Sequence, residues 1–269
     1  MTETTPPQIN QKIQIQTWWF TAVLIAVNVG LFGWQILSGV NITDPSPVDA
    51  IAWGADFTPL TFLGHPERLF SSMFFHFGLI HLMLNMWALY LFGSVAEQLF
   101  GRVYYIGLYF LAGLMGSVLS SYLTIRDGYD LLQHFDPKLL PHISAGASGA
   151  VMGLGAALTA ISLFPRLPQL RFWLDKKSLL MVMGINLIFG FVATGINNAA
   201  HIGGMVIGAF LALMWYLSYV SKFKNTLKLL GLLGAVVITG GFYMYCVQLN
   251  SPLLPLWHEI IIQNPDIIP

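Results

Sequence analysis

Long apolar stretches, each about the width of a bilayer, alternate with polar connectors along most of this chain. A spanning helix needs about 20 largely apolar residues, and such helices tolerate glycine. On that pattern seven helices are expected, over residues 18–37, 69–92, 104–123, 148–164, 178–194, 201–220 and 226–247. The fifth is short and is expected to tilt or to stop below the surface. Two connections are long. Residues 38–68 hold Asp44-Pro45-Ser46-Pro47 and several aromatics, enough for a structured interfacial loop; residues 124–147 carry Asp127, Asp130, Asp136, Pro137 and Pro141. The pattern predicts an all-α, polytopic membrane helix bundle without an internal repeat or a second globular domain.

Composition strengthens that expectation. Of 269 residues, 56% are hydrophobic and only 9% charged, against about 25% charged in a soluble domain. Lys and Arg total 12 and so do Asp and Glu, so no basic field points to nucleic acid as a partner. Cys246 is the single cysteine, which excludes an intramolecular disulfide and a cysteine metal cage. Residues 1–16 are polar and no small-residue cleavage site follows a short apolar run, so the first apolar segment reads as a retained span.

The cations orient the bundle. With the amino terminus in the cytoplasm, Lys12, Arg102, Arg166, Arg171, Lys176, Lys177, Lys222, Lys224 and Lys228 fall inside, and only Arg68, Arg126 and Lys138 outside. The positive-inside rule therefore predicts a cytoplasmic amino terminus and an outer carboxyl terminus. The polar amino terminus lacks transit-peptide character, which favours a bacterial cytoplasmic membrane.

Ionisable groups within spans are expensive and so mark candidate sites. Ser148 lies in Gly146-Ala147-Ser148-Gly149, at the outer start of the fourth span. Flanking glycines clear the space around its hydroxyl, and a helix start leaves N–H groups free for a developing oxyanion. Taken alone, small residues around a serine are ordinary membrane-helix packing. His201, in Ala200-His201-Ile202-Gly203-Gly204, opens the sixth span at the same depth. The pairs Gly149/Gly153 and Gly204/Gly208 allow close backbone approach, and a serine nucleophile needs an adjacent base. No acidic residue lies in the outer half of a span near His201, so a dyad is expected. Asn197 and Asn198 precede it and can contact it, although loop asparagines commonly just form turns.

On the second span His81 and Asn85 are spaced i, i+4 on one helix face, and both can donate to an oxyanion; an interhelical hydrogen-bonding pair is the plainer reading. A metal held by His76 and His81 is disfavoured: on one helix, i and i+5 splay by roughly 140°, and there is no HExxH. No cofactor is expected.

The run Arg68…His76…His81-Leu82-Met83-Leu84-Asn85-Met86, then Gly146-Ala147-Ser148-Gly149-Ala150-Val151, then Ala200-His201-Ile202-Gly203-Gly204-Met205-Val206-Ile207-Gly208, resembles the rhomboid proteases from about Arg68 to Phe210. The resemblance implies an intramembrane serine endopeptidase acting on transmembrane protein substrates near the outer leaflet. In that reading Ser148 is the nucleophile and His201 the general base and acid. The Ser148 N–H, His81 and Asn85 form the oxyanion hole, with His76, Gly146, Gly149, Met152, Gly204 and Arg68 in support. It implies a six-plus-one form: a cytoplasmic segment 1–16, a core 17–222, and a further helix and outer tail 223–269. Glu97 and Gly101 match structural positions. Glu67 departs from the usual tryptophan of the first-loop motif, and Met152 from a usual aromatic. A catalytically silent rhomboid-like escort factor is the alternative, although such proteins are expected to lose the serine or the histidine. A transporter is a weaker rival, because no two-half repeat is evident.

Overall fold

The computed structural model describes residues 17–165, 174–192 and 197–263. The expected segment 1–16 with Lys12, the cations Arg166 and Arg171, and residues 193–196 lie outside these described residues.

Helix α1 (Trp19–Leu37) buries a stripe of Leu24, Asn28, Phe32 and Gln35 and exposes Val23, Val27 and Trp34 on its other side. Its start is capped from another helix. The buried Glu97 carboxylate accepts from Phe20 N–H (3.1 Å), Thr21 N–H (2.8 Å) and Thr21 Oγ1 (2.9 Å). A negative charge there satisfies orphan donors and complements the helix dipole. The residue expected to be structural is a cap.

The first long connection folds into α2 (Pro47–Ala52), a two-residue strand β1 (Asp56–Phe57), α3 (Thr58–Phe62) and α4 (Arg68–Ser71). A reciprocal Ser46–Asp49 capping box starts α2. Arg68 Nη1 ties the loop together by donating to the carbonyls of Ile51 (2.8 Å) and Ala55 (3.0 Å). Glu67 is exposed and meets His65 instead.

The second span does not begin at residue 69. Gly78 adopts φ +89° with its Cα against the Thr43 carbonyl, and Leu79 N–H donates to the Ile42 carbonyl at 2.8 Å. Those contacts turn residues 68–78 into the loop. The helix proper runs over Leu79–Phe100, as α5 (Leu79–Ala88), a wide turn at Leu89–Gly93 and α6 (Ser94–Phe100). His76 is therefore not on a helix with His81, and the splay expected of an i, i+5 helical pair does not apply.

Helix α7 (Arg102–Leu131) also outruns its expected end at 123. Strand β2 (Ile143–Ser144) follows and pairs antiparallel with β1, Asp56 opposite Ser144 and Phe57 opposite Ile143. Helices α8 (Ser148–Leu163), α9 (Lys176–Val192), α10 (Asn198–Val220), α11 (Lys224–Asn250) and α12 (Leu254–Gln263) complete the chain. The fold is all-α apart from that small ladder. Among the described residues five helical segments are long and apolar enough to cross a membrane, and α8 falls short at 16 residues.

Helix α8 is buried along nearly its whole length, with α7 and α10 packed closely on it. The glycine pairs make this possible. A Cβ at Gly204 would overlap the Gly149 carbonyl, one at Gly208 the Gly153 carbonyl, and one at Gly203 would stand 2.6 Å from the Met115 carbonyl of α7. Here backbone meets backbone, so the three helices share one rigid seam.

Candidate active site

Ser148 is the first residue of α8, where backbone N–H groups have no intrahelical partner. The segment delivering it is held at two points. Strand β2 is laddered to β1, and Gly146 N–H donates to the Ser72 carbonyl at 2.8 Å. Gly146 has φ +120°, and a Cβ there would lie 2.8 Å and 2.9 Å from Cε1 and Nε2 of His81. Glycine at this position is thus required twice, by its backbone and by the imidazole against it.

His81 has a defined tautomer. Its Nδ1 accepts the Phe77 N–H at 3.1 Å, so in the neutral ring the proton sits on Nε2, the edge turned to Gly146. Phe77 lies parallel to the imidazole at 6.2 Å, and His76 packs edge-on against it at 5.2 Å. Asn85, buried one turn on, donates one Nδ2 N–H to the His81 carbonyl at 3.0 Å and keeps a second.

His201 is buried in the first turn of α10. The neighbours of the two candidate catalytic residues touch: a Cβ at Gly149 would stand 3.2 Å from the Ala200 carbonyl. Among the described residues no hydrogen bond reaches His201 Nδ1, and none joins Ser148 Oγ to His201. The ring is therefore held by packing and by the backbone of its helix start. Met152 is buried in the core beside Val151. Arg68 bonds carbonyls of the first loop, and Gly204 sits in the α8–α10 seam.

The site is sunk. Gly116 of α7 abuts Ala200, and Ser120 lies at the start of α10, yet α7 continues to Leu131. From Ser120 to Leu131 that helix extends a further three turns, about 16 Å along its own axis.

Two contributors carried little signal in the sequence. Asn197 caps α10 and bonds both Ser120 and Ser144. Asp56, on β1, is fully buried and accepts from Thr61 Oγ1 (2.5 Å) and Ser121 Oγ (3.2 Å). Burial pushes its carboxyl up to about 6, against the pull of Thr61, Ser121 and Arg68. Adjacent serines on α7, Ser120 and Ser121, were the available hint.

Membrane-length helices enclosing this serine–histidine cluster define an integral, multi-pass membrane protein. The family profile described as Rhomboid domain matches residues 64–218, more than half of the chain. The chain belongs to the rhomboid family. It is 31% identical over 233 residues to "Rhomboid protease GluP" of Bacillus subtilis (strain 168), covering 87% of this chain and 41% of that protein. It is 27% identical over 242 residues to "Rhomboid protease AarA" of Providencia stuartii, covering 87% and 85%. Similarity to "RHOMBOID-like protein 6, mitochondrial" of Arabidopsis thaliana is 34% over 170 residues, or 59% of this chain and 48% of that protein. The chain thus spans less than half the length of the first and third of these relatives and most of the second.

Proposed function

We propose that the chain is an intramembrane serine endopeptidase that cleaves transmembrane protein substrates through Ser148 and His201. The observation that carries this reading is the His81 tautomer: a fixed Nε2–H aimed at the turn that delivers Ser148. In the reaction, Ser148 Oγ bonds to the scissile carbonyl carbon as His201 takes its proton. His201 passes that proton to the leaving amine, and water then attacks the acyl-enzyme by the same exchange. The oxyanion is met by the Ser148 N–H with His81 Nε2–H and the free Asn85 N–H. A serine–histidine pair not hydrogen-bonded at rest is compatible with this role, because such bonds tighten in the substrate complex.

The nine-to-three cation count supports a site facing outside with the amino terminus cytoplasmic; the family resemblance supports a six-plus-one arrangement, divided near residue 222 between α10 and α11. A bacterial cytoplasmic membrane fits the composition. Substrate helices must unwind locally to present a carbonyl at the sunken serine. Helix α9, with Met181, Ile185, Ile188 and Phe189 exposed, is the proposed lateral gate; Gly195 and Ile196 of its closing turn lie outside the described residues. The test is fluorophosphonate labelling together with cleavage of a transmembrane substrate in liposomes. Labelling at Ser148 that is absent from Ser148→Ala, with cleavage lost in both Ser148→Ala and His201→Ala, is expected. Cleavage retained by Ser148→Ala would sink the reading.

A further inference from the structure

Helix α10 begins at a junction of three elements. Asn197 Oδ1 accepts the Ala200 N–H at 3.0 Å, capping the helix, and the Asn197 carbonyl receives the His201 N–H at 3.2 Å. The Asn197 Nδ2 group donates to Ser120 Oγ of α7 at 2.6 Å and to Ser144 Oγ of β2 at 2.7 Å. Ser144 lies four residues before Ser148 on the chain (148 − 144 = 4), and the link between them is pinned by the Gly146–Ser72 hydrogen bond. One side chain therefore ties the first turn of the base's helix to the strand that delivers the nucleophile. With no partner on His201 Nδ1 among the described residues, where α10 starts decides where its imidazole stands.

We infer that Asn197 is a positioning residue that sets the register between Ser148 and His201, an inference that rests on those two being the catalytic pair. It touches neither substrate nor reacting atom; it acts through the helix start and through β2. Aspartate fits the same junction. One carboxylate oxygen keeps the cap, and the serine hydroxyls rotate from accepting to donating. Alanine loses all three bonds.

The experiment measures the fluorophosphonate labelling rate of Ser148 against pH, and kcat and KM for a transmembrane substrate, in the full chain in liposomes. Asn197→Ala should lower kcat and labelling by about 10- to 100-fold, the range expected of a misplacement of about 1 Å, with KM nearly unchanged and an altered pH profile. Asn197→Asp should recover most of the rate. Asn197→Ala and Ser144→Ala should be non-additive in a double-mutant cycle. Wild-type labelling with an unaffected Asn197→Ala would overturn the positioning role alone, as would a loss that follows melting temperature and is not recovered by aspartate. Absence of labelling in the wild type would overturn the protease reading and this inference with it.

Discussion

His81 Nδ1 accepts the Phe77 backbone N–H at 3.1 Å, which leaves its single proton on the Nε2 edge lying against Gly146. That bond comes from the loop turned back at Gly78, not from the helix carrying the histidine. Loop conformation and oxyanion donation are thus linked. His81→Ala should lower kcat by roughly 10²–10³-fold, as for loss of one preorganised donor. Asn85→Ala should have a smaller effect, because its amide is already engaged with the His81 carbonyl, whereas the His81 Nε2–H is held free against Gly146. Single-turnover cleavage in liposomes separates the two; equal losses would argue against distinct donors.

Gly146 is expected to be intolerant of any side chain. A Cβ there stands 2.8 Å from His81 Cε1 on a backbone with φ +120°. Gly146→Ala must displace the imidazole or the turn, so cleavage should fall at least tenfold (about 1.4 kcal/mol), while the bundle melts near the wild-type temperature. Circular dichroism melting beside a rate measurement checks this.

The α8–α10 seam makes the opposite prediction. A Cβ at Gly204 collides with the carbonyl of Gly149, which cannot rotate away as a side chain would. Gly204→Val should destabilise the bundle by about 1–3 kcal/mol or more, seen as a lower melting temperature in detergent before any effect on substrate affinity.

The bundle, and the pairing of Gly149/Gly153 with Gly204/Gly208, were legible because both rest on local composition: apolar runs of bilayer length and small residues at helical spacing. The candidate site was legible where polar residues stood out within apolar spans, as with His81, Asn85, Ser148 and His201. What was hidden is non-local. The start of the second helix at Leu79 depends on Gly78 meeting Thr43, and the β1–β2 ladder joins residues far apart in sequence. Asn197 looked like a turn residue because its two serine partners lie on α7 and β2. Glu97 matched a structural position, but its capping of α1 needed the tertiary fold.

Asp56 lends the first loop a pH dependence. Its carboxyl is raised from 3.8 to about 6 in the folded protein, chiefly by burial, so the folded state binds the proton more tightly than the unfolded chain. Its contribution to stability is full below about pH 4 and is lost as pH rises through about 6. Asp56→Asn, which stays neutral, should flatten the thermal stability profile between those values. An unchanged slope in the variant would show that other groups govern it.

Helix α12 carries the last prediction. Trp257 is fully buried, donates from Nε1 to Asn250 Oδ1 at 2.6 Å, and lies against Gly128 of α7. One turn on, Ile261 packs with Ile51, Phe57 and Leu60 of the first loop, so the chain's last described helix braces the loop that ladders to the serine strand. Trp257→Ala removes a large buried ring and leaves Asn250 without its donor, a change worth about 3–5 kcal/mol in a packed core. The expected outcome is faster proteolysis within residues 38–68 and a reduced cleavage rate, with the α7–α8–α10 seam intact. Limited proteolysis with mass spectrometry reads the first, and equal protection of the loop in variant and wild type would rule out the bracing role.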